Sequence, residues 1–187
     1  MKLSRSQSAL AIVLASALTW AIPAQATITA YFSSGTTCKG SASRNFAARE
    51  SVQVSVCVTT TVESLCGNTL RLEVDSSGEN GHFRVTGRTL GKNYPDPNNE
   101  TLPAAISIDS PKLSRLDFGG TRDDPLAPAA DQLLATFTLS AQTEAKNPSY
   151  SIRLGKNSVV SVAKGNTCDP TVAVPISASL ALTRKDK

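Results

Sequence analysis

Residues 51–74, SVQVSVCVTTTVESLCGNTLRLEV, decide the fold. Val52, Val54, Val56 and Val58 fall on one face of an extended run, and Leu70, Leu72 and Val74 fall on one face of a second. Gln53, Ser55 and Thr59 take the opposite face of the first run, so one side is expected to be buried and the other wetter. Cys57 lies on that second side. Two such runs in succession predict a hairpin on a β-sandwich core. If its centre lies between Thr61 and Val62, Cys57 and Cys66 stand equidistant from it and face one another. Gly67 and Asn68 also read as a turn, which would move the register and separate them.

Outward from this stretch the same alternation recurs. Residues 27–32 read as a short strand, followed by a surface loop over 33–44 that carries Cys38. Phe46, isolated after it, is expected to anchor that loop by packing. Strand character returns at 104–108 and 113–118, then in Leu133, Ala135, Phe137 and Leu139, then in Tyr150, Ile152 and Leu154. Val159, Val160 and Val162 suggest a short strand, and 172–182 a closing strand that Pro175 interrupts, as at an edge or bulge. Between these runs, 91–103 with three prolines and 119–128, rich in Gly, Asp and Pro, read as loops. No run holds a helical period. The expected fold is all-β, a jelly-roll β-sandwich of about nine strands with two disulfides.

Lys2 and Arg5, an apolar run from Ala9 to Ile22, and the small-x-small triplet Ala24-Gln25-Ala26 read as a secretory leader. The organisation expected is therefore a signal peptide over 1–26 and a single domain over 27–187, exported to the periplasm or beyond the cell. Cleavage after Ala26 takes 26 of 187 residues and leaves 161, enough for one core. It also removes two cations, taking the formal charge from +4 to +2. The remaining basic residues are scattered, which argues against a nucleic-acid partner, and no membrane span is expected in the mature chain.

All four cysteines, Cys38, Cys57, Cys66 and Cys168, survive cleavage, and an even count in an exported chain favours two disulfides. Hairpin geometry predicts Cys57–Cys66, which leaves Cys38–Cys168. Zinc is disfavoured because no CxxC pair exists and His82 is the only histidine.

Catalysis finds no constellation. A serine triad would need His82, and no GxSxG elbow accompanies it. The acids Asp96, Glu100, Asp117, Asp123 and Asp124 sit in no glycosidase motif. Asp96, Asn98 and Glu100 alternate like oxygen ligands for calcium, but the glycine and closing glutamate of an EF-hand loop are missing and a proline-stiffened solvent loop is the simpler reading. No catalytic residue, no metal and no cofactor is expected. Trp20 leaves with the leader, and of Tyr31, Tyr94 and Tyr150 only Tyr94 lies in a loop that reads as exposed. That is too little aromatic surface to stack on a sugar lattice.

Four segments, ESVQVSVCVTT (50–60), LCGNTLRLEVD (65–75), DQLLATFTLSAQ (131–142) and PSYSIRLGKNSVVS (148–161), together resemble the cohesin-like members of the carbohydrate-binding-module superfamily. The resemblance implies a nine-stranded jelly roll whose work in cellulosomes is to bind a dockerin partner. The cysteines depart from the cellulosomal pattern, and no dockerin or catalytic module is present in the chain. The function expected is a non-enzymatic binding module for a protein or a surface polymer, with carbohydrate a lesser candidate. Its rivals are a structural adhesin or pilus-type subunit and, further off, a small secreted hydrolase.

Overall fold

The structure is a computed structural model that describes residues 28–47, 50–76, 83–94, 105–110, 113–141, 149–169 and 171–184. The leader, His82, Asp96, Asn98 and Glu100 lie outside the described residues. Twelve strands occur among those described: β1 (Ile28–Ser34), β2 (Ser43–Phe46), β3 (Ser51–Thr60), β4 (Leu65–Ser76), β5 (Phe83–Leu90), β6 (Ala105–Ser110), β7 (Leu113–Leu126), β8 (Gln132–Ala141), β9 (Ser149–Leu154), β10 (Val159–Ala163), β11 (Thr171–Pro175) and β12 (Ser179–Arg184). The first sheet runs β1-β3-β8-β5, and the second runs β11-β10-β4-β9-β12-β2 with β7 on β4 and β6 on β7. The chain is an all-β sandwich, as its alternation requires.

The expected hairpin is absent. β3 pairs with β1 and β8 in one sheet, whereas β4 pairs with β7, β9 and β10 in the other. Residues 61–64 carry the chain across the sandwich. Val52, Val54, Val56 and Val58 then meet Leu70, Leu72 and Val74 through the core, all of them buried. Alternation says which face of a strand is buried, and a strand beside it or a strand opposite it satisfies that pattern equally well.

This crossing overturns the expected disulfides. Cys57 sits on the outer side of β3 and pairs with Cys38, with Cα atoms 5.8 Å apart. Cys66 on β4 pairs with Cys168 in the β10–β11 connection, with Cα atoms 5.4 Å apart. Cys57 and Cys66 belong to different sheets and cannot meet. The loop carrying Cys38 turns at Gly35, whose φ of 89° suits a residue without a side chain, and doubles back over β3. There the Gly35 N–H donates to Gln53 O at 2.8 Å and Ser55 Oγ donates to Gly35 O at 2.9 Å. The face expected to be wet is therefore partly roofed, and Ser55 and Cys57 are fully buried.

Three further expectations change. The 119–128 segment is mostly strand, because β7 runs on to Leu126. Its glycines mark close approach and not a turn: a Cβ on Gly119 would stand 2.7 Å from Asn68 O, and one on Gly120 2.8 Å from Leu90 Cδ2. In β8 a bulge opposite Val56 and Cys57 shifts the phase, so Leu134 enters the core while Leu133 stays half-buried. The closing run divides into β11 and β12 at opposite sides of β4, with Pro175 ending an edge strand.

Phe46 is buried on β2, which lies parallel to β12, and its ring meets Tyr150 edge-on at 5.6 Å. Phe118 and Phe137 make the same contact between the two sheets at 5.7 Å.

Candidate protein-docking face

One edge of β4 is shared by two strands. β7 runs along its whole length, so β10 over 65–69 and β9 over 72–76 must take the other edge. At the junction the backbone of Arg71 would lack ladder partners. The turn between β9 and β10 supplies them: Gly155 N–H donates to Arg71 O at 2.8 Å, and the Arg71 N–H donates to Ser158 Oγ at 3.0 Å. A Cβ at Gly155 would stand 2.8 Å from Arg71 Cγ, so the glycine makes room for the arginine stem.

Since Leu70, Leu72, Val74, Leu116, Phe118, Ile152 and Leu154 point inward, their neighbours Arg71, Glu73, Arg115, Asp117 and Arg153 point outward. The register sets them in a checkerboard, with Arg71 opposite Asp117 and Glu73 between Arg115 and Arg153. Arg71 grips Asp117 with Nε on Oδ1 at 2.7 Å and Nη2 on Oδ2 at 2.8 Å. Arg115 Nη2 approaches Asp117 Oδ2 at 3.5 Å, and Arg153 Nε donates to Glu73 Oε2 at 2.7 Å. The Arg71 hydrogen bonds hold the Asp117 carboxyl below its ordinary range against the opposing effect of burial, and the charges of Arg71 and Arg115 add to this. Three cations and two carboxylates thus lie on a pleated surface with their positions fixed by the ladder and by each other. Such a surface can match a partner's charges without first ordering its own side chains.

The outer side of the first sheet differs. Where the Cys38 loop leaves it open, a cleft of about 300 Å³ is lined by Gly35, Arg44, Ser51, Gln53 and Thr138. Arg44 is held by Glu50 at 2.9 Å.

The residues singled out in the sequence are not gathered into one place. Asp117 joins the checkerboard, while Asp123 and Asp124 are exposed near the end of β7. Tyr94 is a correction: it is only 3% exposed and belongs to the core. A turn with Tyr94 N–H donating to Gly91 O at 2.8 Å folds it inward, and burial raises its phenol pKa, with Asn68 and Arg122 opposing the rise. Tyr150 is buried, and Tyr31 donates its hydroxyl to Asp131 on the outer side of the first sheet. Among the described residues no group of three His, Cys, Asp or Glu side chains is placed to hold a metal ion. Sequence reasoning passed over Arg71, Glu73, Arg115 and Arg153. Their signal was present in LRLEV, SRLDF and SIRL, where charges occupy the positions between inward apolar residues.

No protein-family model matches the chain, and no curated protein matches it in sequence. Solved structures do match its shape. The seventh ScaB type I cohesin from Pseudobacteroides cellulosolvens superposes with a TM-score of 0.53 at 12% identity, over 85% of this chain and 94% of that one. A chain of the Coh-OlpA–Doc918 complex, a type I cohesin–dockerin complex from Clostridium thermocellum, gives 0.53 at 11% identity, over 84% and 99%. The cohesin module of a Clostridium perfringens family 33 glycoside hydrolase gives 0.52 at 8% identity, over 86% and 100%. The fold is cohesin-like.

Proposed function

We propose that the chain is an exported, non-enzymatic binding module whose partner is a protein docked on the outer face of the second sheet. The observation that carries the reading is the checkerboard of Arg71, Glu73, Arg115, Asp117 and Arg153, ordered by register and by ion pairs. The Clostridium thermocellum complex, in which a cohesin of similar fold meets a dockerin, adds support by analogy of fold alone. Burial of Tyr94 removes the one aromatic that favoured stacking on a polysaccharide. A patch of roughly 800 Å² per partner suffices for a specific protein contact, and one sheet face of this size provides it. The leader at Lys2 to Ala26 supports export.

The test is capture of envelope and medium proteins from the producing organism on the immobilised mature chain. Arg153→Glu, at a side chain 48% exposed, should abolish capture of the specific partner, whereas Gln53→Glu on the first sheet should leave it unchanged. Equal capture by both variants, or retention on insoluble cellulose or chitin in place of a protein, overturns the proposal.

A further inference from the structure

Among the described residues the second sheet has an open edge at β11, and one hydrogen bond sets its backbone geometry. Ile176 N–H donates to Ser158 O at 3.0 Å, one step beyond the Val159↔Pro175 end of the β10–β11 ladder. Hydrogen-bonded and non-bonded pairs alternate in an antiparallel ladder, so Val174 and Val172 direct their backbone groups to Val160 and Val162. Thr171, Ala173 and Pro175 therefore direct theirs away from β10. Pro175 sits at one of these outward positions, where its missing N–H removes nothing from the sheet. Among the described residues no strand pairs with that edge, and Thr171, Val172, Ala173 and Pro175 are exposed.

We infer that this edge joins a second copy of the chain, β11 to β11, in an antiparallel pair centred on Ala173. Each Ala173 N–H then meets the other copy's Ala173 C=O, and each Thr171 N–H meets the other copy's Pro175 C=O. Both outward N–H groups are satisfied, and the proline falls where the strand has only an acceptor to offer. Val172, whose side chain is 49% exposed, comes to lie opposite the second copy's Val174 on the inward face. The register of β10 places these valines on the same side as the buried Val160 and Val162, so the pairing extends existing apolar surface.

A second copy is the fitting occupant because the edge is its own complement. The strand Thr171–Pro175 carries no charge, so two copies bring no like charges together. It is bounded by Pro175 at one end and by the Cys168 loop, pinned to β4 through Cys66, at the other. An identical strand has the same length and the same limits. The contact is isologous and closes at a dimer without growing into a fibre. A five-residue edge buries less than a standard interface, so association should be weak and appear only at high concentration.

Sedimentation velocity of the mature, disulfide-bonded chain from about 5 μM to about 1 mM tests this. The expected result is a shift from monomer to dimer with nothing larger. Ala173→Pro removes the central outward N–H and no bond to β10, and it should give a monomer throughout with an unchanged unfolding midpoint. Val172→Lys should weaken dimerisation at least about tenfold through like charge at the seam. In wild type, amide exchange at Thr171 and Ala173 should slow as concentration rises. A monomer across the whole range, a dimer undiminished by Ala173→Pro, or growth beyond the dimer would each overturn the inference.

Discussion

Arg71 and Asp117 stand opposite one another in the β4–β7 ladder and share two near-parallel hydrogen bonds, at 2.7 and 2.8 Å. Each side chain is about a quarter exposed, Arg71 at 24% and Asp117 at 25%, so the pair belongs half to the fold and half to the surface. That position lets one pair contribute both to local stability and to the charge pattern of the outer face.

Acid should weaken the fold in part through this pair. The folded Asp117 carboxyl is held below its ordinary 3.8 by the Arg71 hydrogen bonds first and by the charges of Arg71 and Arg115 after them. The unfolded chain then binds the proton more readily, so stability rises with pH between the folded and the unfolded values. Asp117 thus contributes fully above its unfolded value, and the contribution is lost as pH falls through the folded one. Urea midpoints measured from about pH 6 down to about pH 2 should fall less steeply for Asp117→Asn than for wild type. Parallel curves would show that the pair has no share in acid stability.

Peptide mapping without reductant should recover Cys38 joined to Cys57 and Cys66 joined to Cys168. The two bridges differ in the loop they close, with sequence separations of 19 and 102. In the chain-entropy account these are worth about 3 and about 4.7 kcal/mol. Replacing Cys66 and Cys168 together by serine should therefore lower the unfolding free energy more than replacing Cys38 and Cys57. The reverse order would mean that the roof over β3 matters more than the long loop.

Phe46 occupies a strand of four residues yet is only 1% exposed. Phe46→Ala should cost about 3–5 kcal/mol, the range for a buried phenylalanine left as a cavity. Chemical denaturation measures it, and a loss under about 1 kcal/mol would show that β2 is not docked as described.

Tyr31 should titrate near 12, since burial first and the hydrogen bond to Asp131 second disfavour its phenolate. A raised folded value stabilises the protein fully below the unfolded value near 10 and is lost as pH rises through the folded one. Ultraviolet titration of phenolate absorbance should show Tyr94 and Tyr31 both titrating late, with the component near 12 absent in Tyr31→Phe and brought to lower pH by Asp131→Asn. An unchanged profile in Asp131→Asn would remove the carboxylate from the explanation.

The alternation in residues 51–74 was enough to determine the strands, their buried faces and an all-β sandwich, because period two depends only on which side of a pleat meets the core. Paired cysteines behind a leader were likewise enough to expect two disulfides. Which strand lies beside which was decided only in three dimensions. Val58 and Leu70 are buried whether their strands pair or face each other, so the β3–β4 crossing, and with it the bonding of Cys57 to Cys38 and not to Cys66, is invisible to periodicity. Glycines 119 and 120 look like punctuation until β4 is seen passing within a methyl's reach of the first and Leu90 of β5 within reach of the second. The charged face follows the same rule. LRLEV, SRLDF and SIRL each point their charges outward from sequence alone, but only the register that sets Arg71 against Asp117 and Glu73 between two arginines turns three separate strands into one surface. Long-range pairing joins residues 46 or 80 positions apart, and no local pattern carries that information.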